Sequence, residues 1–205
     1  MQNDQDQLCR SIDKLSSKIQ DLTQTLPNFK HRIEHVEAWI AADSRIQEKE
    51  VTKRAMAFMR EAGYQVEEIP TRKIYDILGQ VTIEFDGVFV AEKPNKYLLC
   101  LVEAKHQVQW EHVVNRLQAR DKFQHFLNNH VQRAQNTVQT NNVSASYRYM
   151  VSALRLFAKY DLCVFIGGTS FDPIVLDKTL AKNIACIHIS NGNRYDVTFP
   201  QGIQL

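Results

Sequence analysis

Leu8, Ile12, Leu15, Ile19, Leu22 and Leu26 recur in steps of four, three, four, three and four, with polar residues in most positions between them. This is the a/d seam of a coiled coil, and it predicts a helix over residues 1–27 with an apolar edge that needs a partner. Pro27 is expected to interrupt it. A seam of about three heptads is marginal for a lone dimer. Two partners stay open: a second copy, paired through residues 8–26, which is the expectation adopted, or the globular part of the same chain.

The pattern then changes. Phe29 to Ile40 reads as a shorter connecting helix within 28–43, and Ser44 to Ala62 as a third helix, capped by Asp43 or Ser44 and closed by Gly63. Strands follow at Tyr64 to Ile69, Val81 to Ala91 and Tyr97 to Lys105, the last two joined by the turn signal Pro94-Asn95. Trp110 to about Gln135 is helical, and "NTVQTNNVSAS" is a polar loop before a helix around Tyr147 to Lys159. Apolar strands at Leu162 to Gly167 and Ile184 to Ile189 flank a short helix from Asp172 to Lys182, and "RYDVTF" closes the chain as an edge strand. Helices interleaved with strands in this order predict an α/β fold: a mixed central sheet flanked by helices over 44–205, preceded by the coiled-coil helix.

Within Tyr97 to Lys105, alternation puts Tyr97, Leu99, Leu101, Glu103 and Lys105 on one face and Leu98, Cys100, Val102 and Ala104 on the other. Both faces are apolar until the end. The strand is therefore covered on both sides, and Glu103 and Lys105 emerge together at its rim. Across the hairpin, "TIEFDGVFV" sets Glu84 and Asp86 on one face and Ile83, Phe85 and Phe89 on the other, with Gly87 allowing close approach beside Asp86.

Two carboxylates from neighbouring strands and one lysine make a hard-oxygen site for Mg²⁺ or Mn²⁺ with a positive group beside it. Such a cation polarises a phosphodiester and activates water, while Lys105 orients that water or steadies developing negative charge. A further acid follows from helical geometry. Val51, Ala55, Phe58, Met59 and Ala62 define an apolar stripe that includes Glu48 and leaves Glu50 outside. A buried acid needs a partner, so Glu48 is the residue expected to complete the metal site or hold a metal-bound water.

Asp86-Gly87, followed by Glu103-Ala104-Lys105 at a strand end, resembles the PD-(D/E)XK nuclease superfamily, to which Holliday-junction resolvases and restriction endonucleases belong. The order from Ser44 to Ile189 is similar to that superfamily's helix, three-strand meander, helix and strand. "DLCVFIGGTSFDPIVLDKTLAKNIACIHIS" looks like the helix-bridged strands that close the sheet in uncharacterised members carrying a coiled-coil segment. The resemblance implies a restriction-endonuclease-like fold, metal binding by Asp86 and Glu103 with the Ala104 carbonyl, and a catalytic Lys105. It departs from the namesake motif at Phe85, where that motif has proline. Glu103-Ala104-Lys105 is the only acid-x-Lys triplet in the chain. The alternative for these residues is a plain ion pair at a strand end, and for the protein a catalytically inactive nuclease-fold nucleic-acid-binding or oligomeric adaptor.

His106, Arg116, Arg120 and Lys122 follow the site, against few acids. Arg116 and Arg120 are four apart and share a helical face, which makes either a phosphate-tracking ridge or an ordinary solvated surface. Nucleic acid is the expected partner, DNA before RNA. Two other outlines are set aside: "HRIEH" fits the H-x-x-E-H pattern but has no third ligand, and "FIGGTSFDP" lacks the lysine of a phosphate loop and reads as a tight strand-to-helix turn.

Composition narrows the setting. The 205 residues are 44% hydrophobic and 23% charged with a net charge of +2, so a strongly basic binder is excluded and any electrostatic partner must be met by local patches. Cys9, Cys100, Cys163 and Cys186 form no C-x-x-C pair, and no apolar run is long enough for a signal core or a membrane span. The expectation is an intracellular protein, cytoplasmic or nuclear, with reduced thiols and no membrane partner.

Overall fold

The computed structural model describes residues 2–131, 144–157, 159–190 and 194–201, with the side chains of 2–13, 21, 28, 31, 38, 39, 41, 42, 130, 131, 190 and 194 outside that description. The chain divides into two units, Met1–Asp43 and Ser44–Leu205.

Helix α1 runs Gln2–Glu61 and passes through Pro27. The interruption expected there, and the separate helices expected over 28–43 and from Ser44, therefore do not form. Proline removes one amide, the one that would reach the Thr23 carbonyl, and its ring crowds that same carbonyl. Turns on both sides keep their own bonds and carry the helix across. Locally, the Thr23 and Thr25 hydroxyls donate to the carbonyls of Ile19 and Leu22, at 2.7 and 3.1 Å. Leu15, Ile19, Leu22 and Leu26 are all more than half exposed. Leu8 and Ile12, also assigned to the seam, have side chains outside the described residues.

The second unit is built on a six-stranded mixed sheet in the order β1-β4-β5-β6-β7-β8. Its strands are β1 Gln65–Glu68, β4 Gly87–Lys93, β5 Lys96–Val108, β6 Asp161–Phe171, β7 Ile184–Ser190 and β8 Arg194–Thr198. The pairs β1/β4, β4/β5 and β7/β8 are antiparallel, while β5/β6 and β6/β7 are parallel. Two strands, β2 Lys73–Tyr75 and β3 Val81–Glu84, form a small separate sheet. The helices are α2 Trp110–Phe126, α3 Ala145–Leu154 and α4 Pro173–Leu180. The fold is thus mixed α/β, with helices on both faces of a mixed sheet.

Alternation along β5 sorts the two cores as the sequence indicates. Leu99 and Leu101 join Val113, Phe123, Leu127, Met150 and Leu154 under α2 and α3. Leu98, Cys100, Val102 and Ala104 join Val51, Ala55 and Met59 of α1. Each face removes large aliphatic side chains from water, at about 1.5–3 kcal/mol apiece, and this double cover makes β5 the centre of the sheet.

Several boundaries differ from expectation. The strand read as Val81 to Ala91 breaks at Phe85 and Asp86, with β3 on one side and β4 on the other. The break shifts the alternation by one: Ile83 and Phe85 share a core with Val88 and Val90, and Phe89 faces the opposite one. β5 continues beyond Lys105 to Val108. Helix α2 ends at Phe126, followed by a π-helical turn Leu127–Val131, rather than running to Gln135; most of the expected polar loop lies outside the described residues. Gly167 and Gly168 lie inside β6, not in a strand-to-helix turn. A Cβ on Gly167 would collide with Val51 of α1, so this glycine lets the helix seat directly on the sheet.

Among the described residues no helix is long and apolar enough to cross a membrane, and Cys100, Cys163 and Cys186 are free thiols.

Candidate active site

Asp86 sits at the bend between β3 and β4, where its amide donates to the Val102 carbonyl at 3.1 Å. That bond holds the bend against β5. Next to it, Gly87 lies so close to Thr52 of α1 that an added Cβ would collide with the threonine side chain. The Thr52 hydroxyl is buried with no hydrogen-bond partner among the described residues. The bend turns the Asp86 carboxylate towards β5, where its Oδ2 accepts from the Ala104 amide at 2.7 Å.

Glu103 and Lys105 flank Ala104 and project from the same face of β5. Lys105 Nζ lies 2.8 Å from Glu103 Oε1. The carboxylate of Glu103 is buried, whereas the Lys105 side chain is 38% exposed. Asp86 from the bend and Glu103 and Lys105 from β5 therefore meet at one place. Glu103 is the buried one of the three, while Asp86 and Lys105 are half-buried.

Arg116 completes the arrangement from α2, in a role different from the surface ridge expected of it. Its guanidinium donates to Glu103 Oε2 and to the Glu84 carbonyl at 3.2 Å, and stacks 5.0 Å from the Phe85 ring centre. Arg116 is buried because Val113, Arg116, Phe123 and Leu127 follow the inward face of the helix. A buried carboxylate needs compensation, and Glu103 receives it from two cations.

Charge balance here is uneven. Burial first, then the neighbouring charge of Glu103, pushes the Asp86 carboxyl up to about 6 from an ordinary 3.8; the Ala104 amide and Lys105 pull the other way, and Glu48 adds to the rise. Glu48 is half-buried on α1 and close enough for its charge to be felt at Asp86. Three carboxylates thus face two cations, and a divalent cation would relieve Asp86. Among the described residues no three His, Cys, Asp or Glu side chains gather as a metal cage. The donors that do converge, two carboxylates beside the Ala104 backbone, fit a hard cation that keeps much of its water, as Mg²⁺ does, and not an all-protein zinc site.

Gln47 belongs to the site and was not foreseen. It is buried, and its Nε2 donates to the Lys105 carbonyl at 2.9 Å, tying α1 to β5 beside the lysine. The signal was present: Gln47, Val51 and Ala55 are spaced by four on the buried stripe, so the argument that singled out Glu48 applies to Gln47 as well.

The other expected nucleic-acid contacts lie outside this cluster. Arg120 is paired with Asp121 at 2.8 Å. Lys122 and His106 are exposed, and the His106 carbonyl accepts from the Thr169 hydroxyl. His112 caps the start of α2, its Nδ1 accepting from the Gln109 amide at 3.1 Å. Of the two histidines in "HRIEH", His35 is exposed and the side chain of His31 is outside the described residues.

No protein-family model, curated protein or solved structure matches this chain. Its function has to be argued from the site.

Proposed function

We propose that the chain is a Mg²⁺- or Mn²⁺-dependent nuclease of the PD-(D/E)XK type, hydrolysing phosphodiester bonds of nucleic acid, DNA in preference to RNA. The observation that carries the reading is the convergence of Asp86, Glu103 and Lys105 around the Ala104 amide, with Lys105 2.8 Å from the buried Glu103 and itself 38% exposed. The helix, the antiparallel run β1-β4-β5 and the parallel strands β6 and β7 support a restriction-endonuclease-like core. Free thiols at Cys100, Cys163 and Cys186 support an intracellular setting, cytoplasmic or nuclear.

In this reading Asp86 and Glu103 hold the cation with the Ala104 carbonyl, and Glu48 holds a water beside it. The bound cation supplies a Lewis acid for the phosphoryl oxygen and a more acidic water. Lys105 donates to the attacking water or to the phosphate oxygen on which charge develops. Gln47 fixes the backbone carrying Lys105. Arg116 keeps the Glu103 carboxylate oriented and charged without reaching the nucleic acid, which leaves Arg120, Lys122 and His106 for phosphate contacts.

The test is a Mg²⁺ and Mn²⁺ titration of the purified chain against single-stranded, duplex and branched DNA and against RNA, beside Lys105→Ala. Metal-dependent cleavage that disappears in the variant is the expected result. A second reading, an inactive nuclease-fold adaptor, is favoured by one feature: both oxygens of Glu103 are already engaged by Lys105 and Arg116. Binding of nucleic acid without cleavage under every cation would establish that reading instead.

A further inference from the structure

The apolar seam does not stop at Leu26. Because α1 passes through Pro27, the step pattern continues to Phe29, Ile33, Val36 and Ile40, giving about five heptads from Leu8 to Ile40. Leu15 to Leu26 and Phe29 to Ile40 present these side chains 50–64% exposed, an unusual display for large apolar groups along one edge. Pro27 falls at a b position and is exposed, away from the seam, so it interrupts no seam contact.

We infer that a second copy of this chain covers the seam, as a parallel, in-register, two-stranded coiled coil over residues 8–40. Two observations select this occupant. The first is residue shape. Ile12, Ile19, Ile33 and Ile40 fill every a position except Leu26, and Leu8, Leu15 and Leu22 fill the first d positions. β-branched residues at a with leucine at d favour two parallel strands over higher assemblies. The second is charge. In a parallel pair Arg32 at g meets Glu37 at e of the other copy, once on each side, and the remaining g–e pairs set Lys18 and Lys30 against threonines and Ser11 against Ser16. An antiparallel pair that keeps every apolar layer instead sets Lys18 against Arg32, like against like, twice along one flank.

Both chains of a parallel pair leave the coiled coil at its Ile40 end, so both 44–205 domains are attached at that one end. The inference stands apart from the reading of Asp86, Glu103 and Lys105, since its test reads no cleavage.

The test uses the full chain. Light scattering is expected to give twice the 23.7 kDa chain mass, and Ile19→Asp with Ile33→Asp is expected to return it to a single chain. Orientation is read from Leu15→Cys in a Cys9→Ser background under mild oxidation. A reducible covalent dimer forms when residue 15 faces its own copy, as in the parallel pair. A single-chain mass for the unaltered protein, a trimer or tetramer mass, or cross-linking only when Leu15→Cys is mixed with Ile33→Cys, would each overturn the inference.

Discussion

Arg116 of α2 and Glu103 of β5 form a buried ion pair, and Lys105 holds the other oxygen of the same carboxylate at 2.8 Å. The two cations are not equivalent. Arg116 is nine-tenths buried, while Lys105 is partly in water. Arg116→Met leaves Glu103 with one exposed partner, and is expected to lower stability by about 3 kcal/mol, in line with breaking a buried pair. Lys105→Ala removes a solvated contact and is expected to cost under about 1 kcal/mol. Urea denaturation of the two variants checks the order. Equal losses would mean that burial does not separate their roles.

Much of this pair was legible in the sequence from one side only. Period-two alternation from Tyr97 set Glu103 and Lys105 on one face, because successive side chains of a strand point to opposite faces. The inward turn of Arg116 was hidden by its charge: spacing from Val113 to Phe123 places it on the buried face, but a long basic side chain reads as surface until its partner is known. The bend at Asp86 was readable only as a phase slip between Ile83-Phe85 and Val88-Val90. Continuity through Pro27 was hidden because proline carries a strong local cost that the surrounding turns outweigh.

Asp86 makes stability depend on pH with the opposite sign to an ordinary ion-paired acid. Its carboxyl is raised to about 6 by burial and then by Glu103, so the folded chain binds this proton more tightly than the unfolded chain. Its stabilising contribution is full below the ordinary 3.8 and is lost as pH rises through about 6. Asp86→Asn keeps an oxygen that can accept from the Ala104 amide and removes the charge. The variant is expected to be more stable than the native chain near neutral pH, by on the order of 2–3 kcal/mol, and the difference should close in mild acid. Mg²⁺ is expected to raise the melting temperature of the native chain at neutral pH and leave Asp86→Asn unmoved. Thermal melts across pH, with and without Mg²⁺, measure both effects. An asparagine variant that gains nothing at neutral pH would remove the basis for a cation at Asp86.

Gln47 links the position of α1 to the backbone of Lys105 through its bond to the Lys105 carbonyl. Gln47→Leu fills similar space but leaves that carbonyl short of one donor, at an expected cost of about 1–2 kcal/mol. If the nuclease reading holds, a small shift of Lys105 lowers kcat by roughly tenfold while KM for nucleic acid stays near native, since no phosphate contact is removed. Steady-state cleavage by Gln47→Leu and Gln47→Glu makes the comparison. A change in KM alone would place Gln47 in substrate binding and not in positioning.

The seat of α1 on the sheet can be tested at Gly167. A Cβ there would overlap Val51 Cγ1 and press on Ile187. Both neighbours are fully buried, so neither can move into solvent. Gly167→Ala is expected to destabilise the fold by about 1–3 kcal/mol, the usual range for overpacking. Val51→Ala alone leaves a cavity and costs stability by a separate route. Combined, the added methyl enters the space the valine vacates, so the double variant should lose clearly less than the two single losses together. The same displacement would carry Gln47 and Glu48, one turn earlier on α1, away from Lys105 and Asp86. Gly167→Ala is therefore expected to weaken Mg²⁺ stabilisation of the native fold, and Val51→Ala to restore part of it. Strict additivity of the two substitutions would show that helix and sheet do not compete for this space.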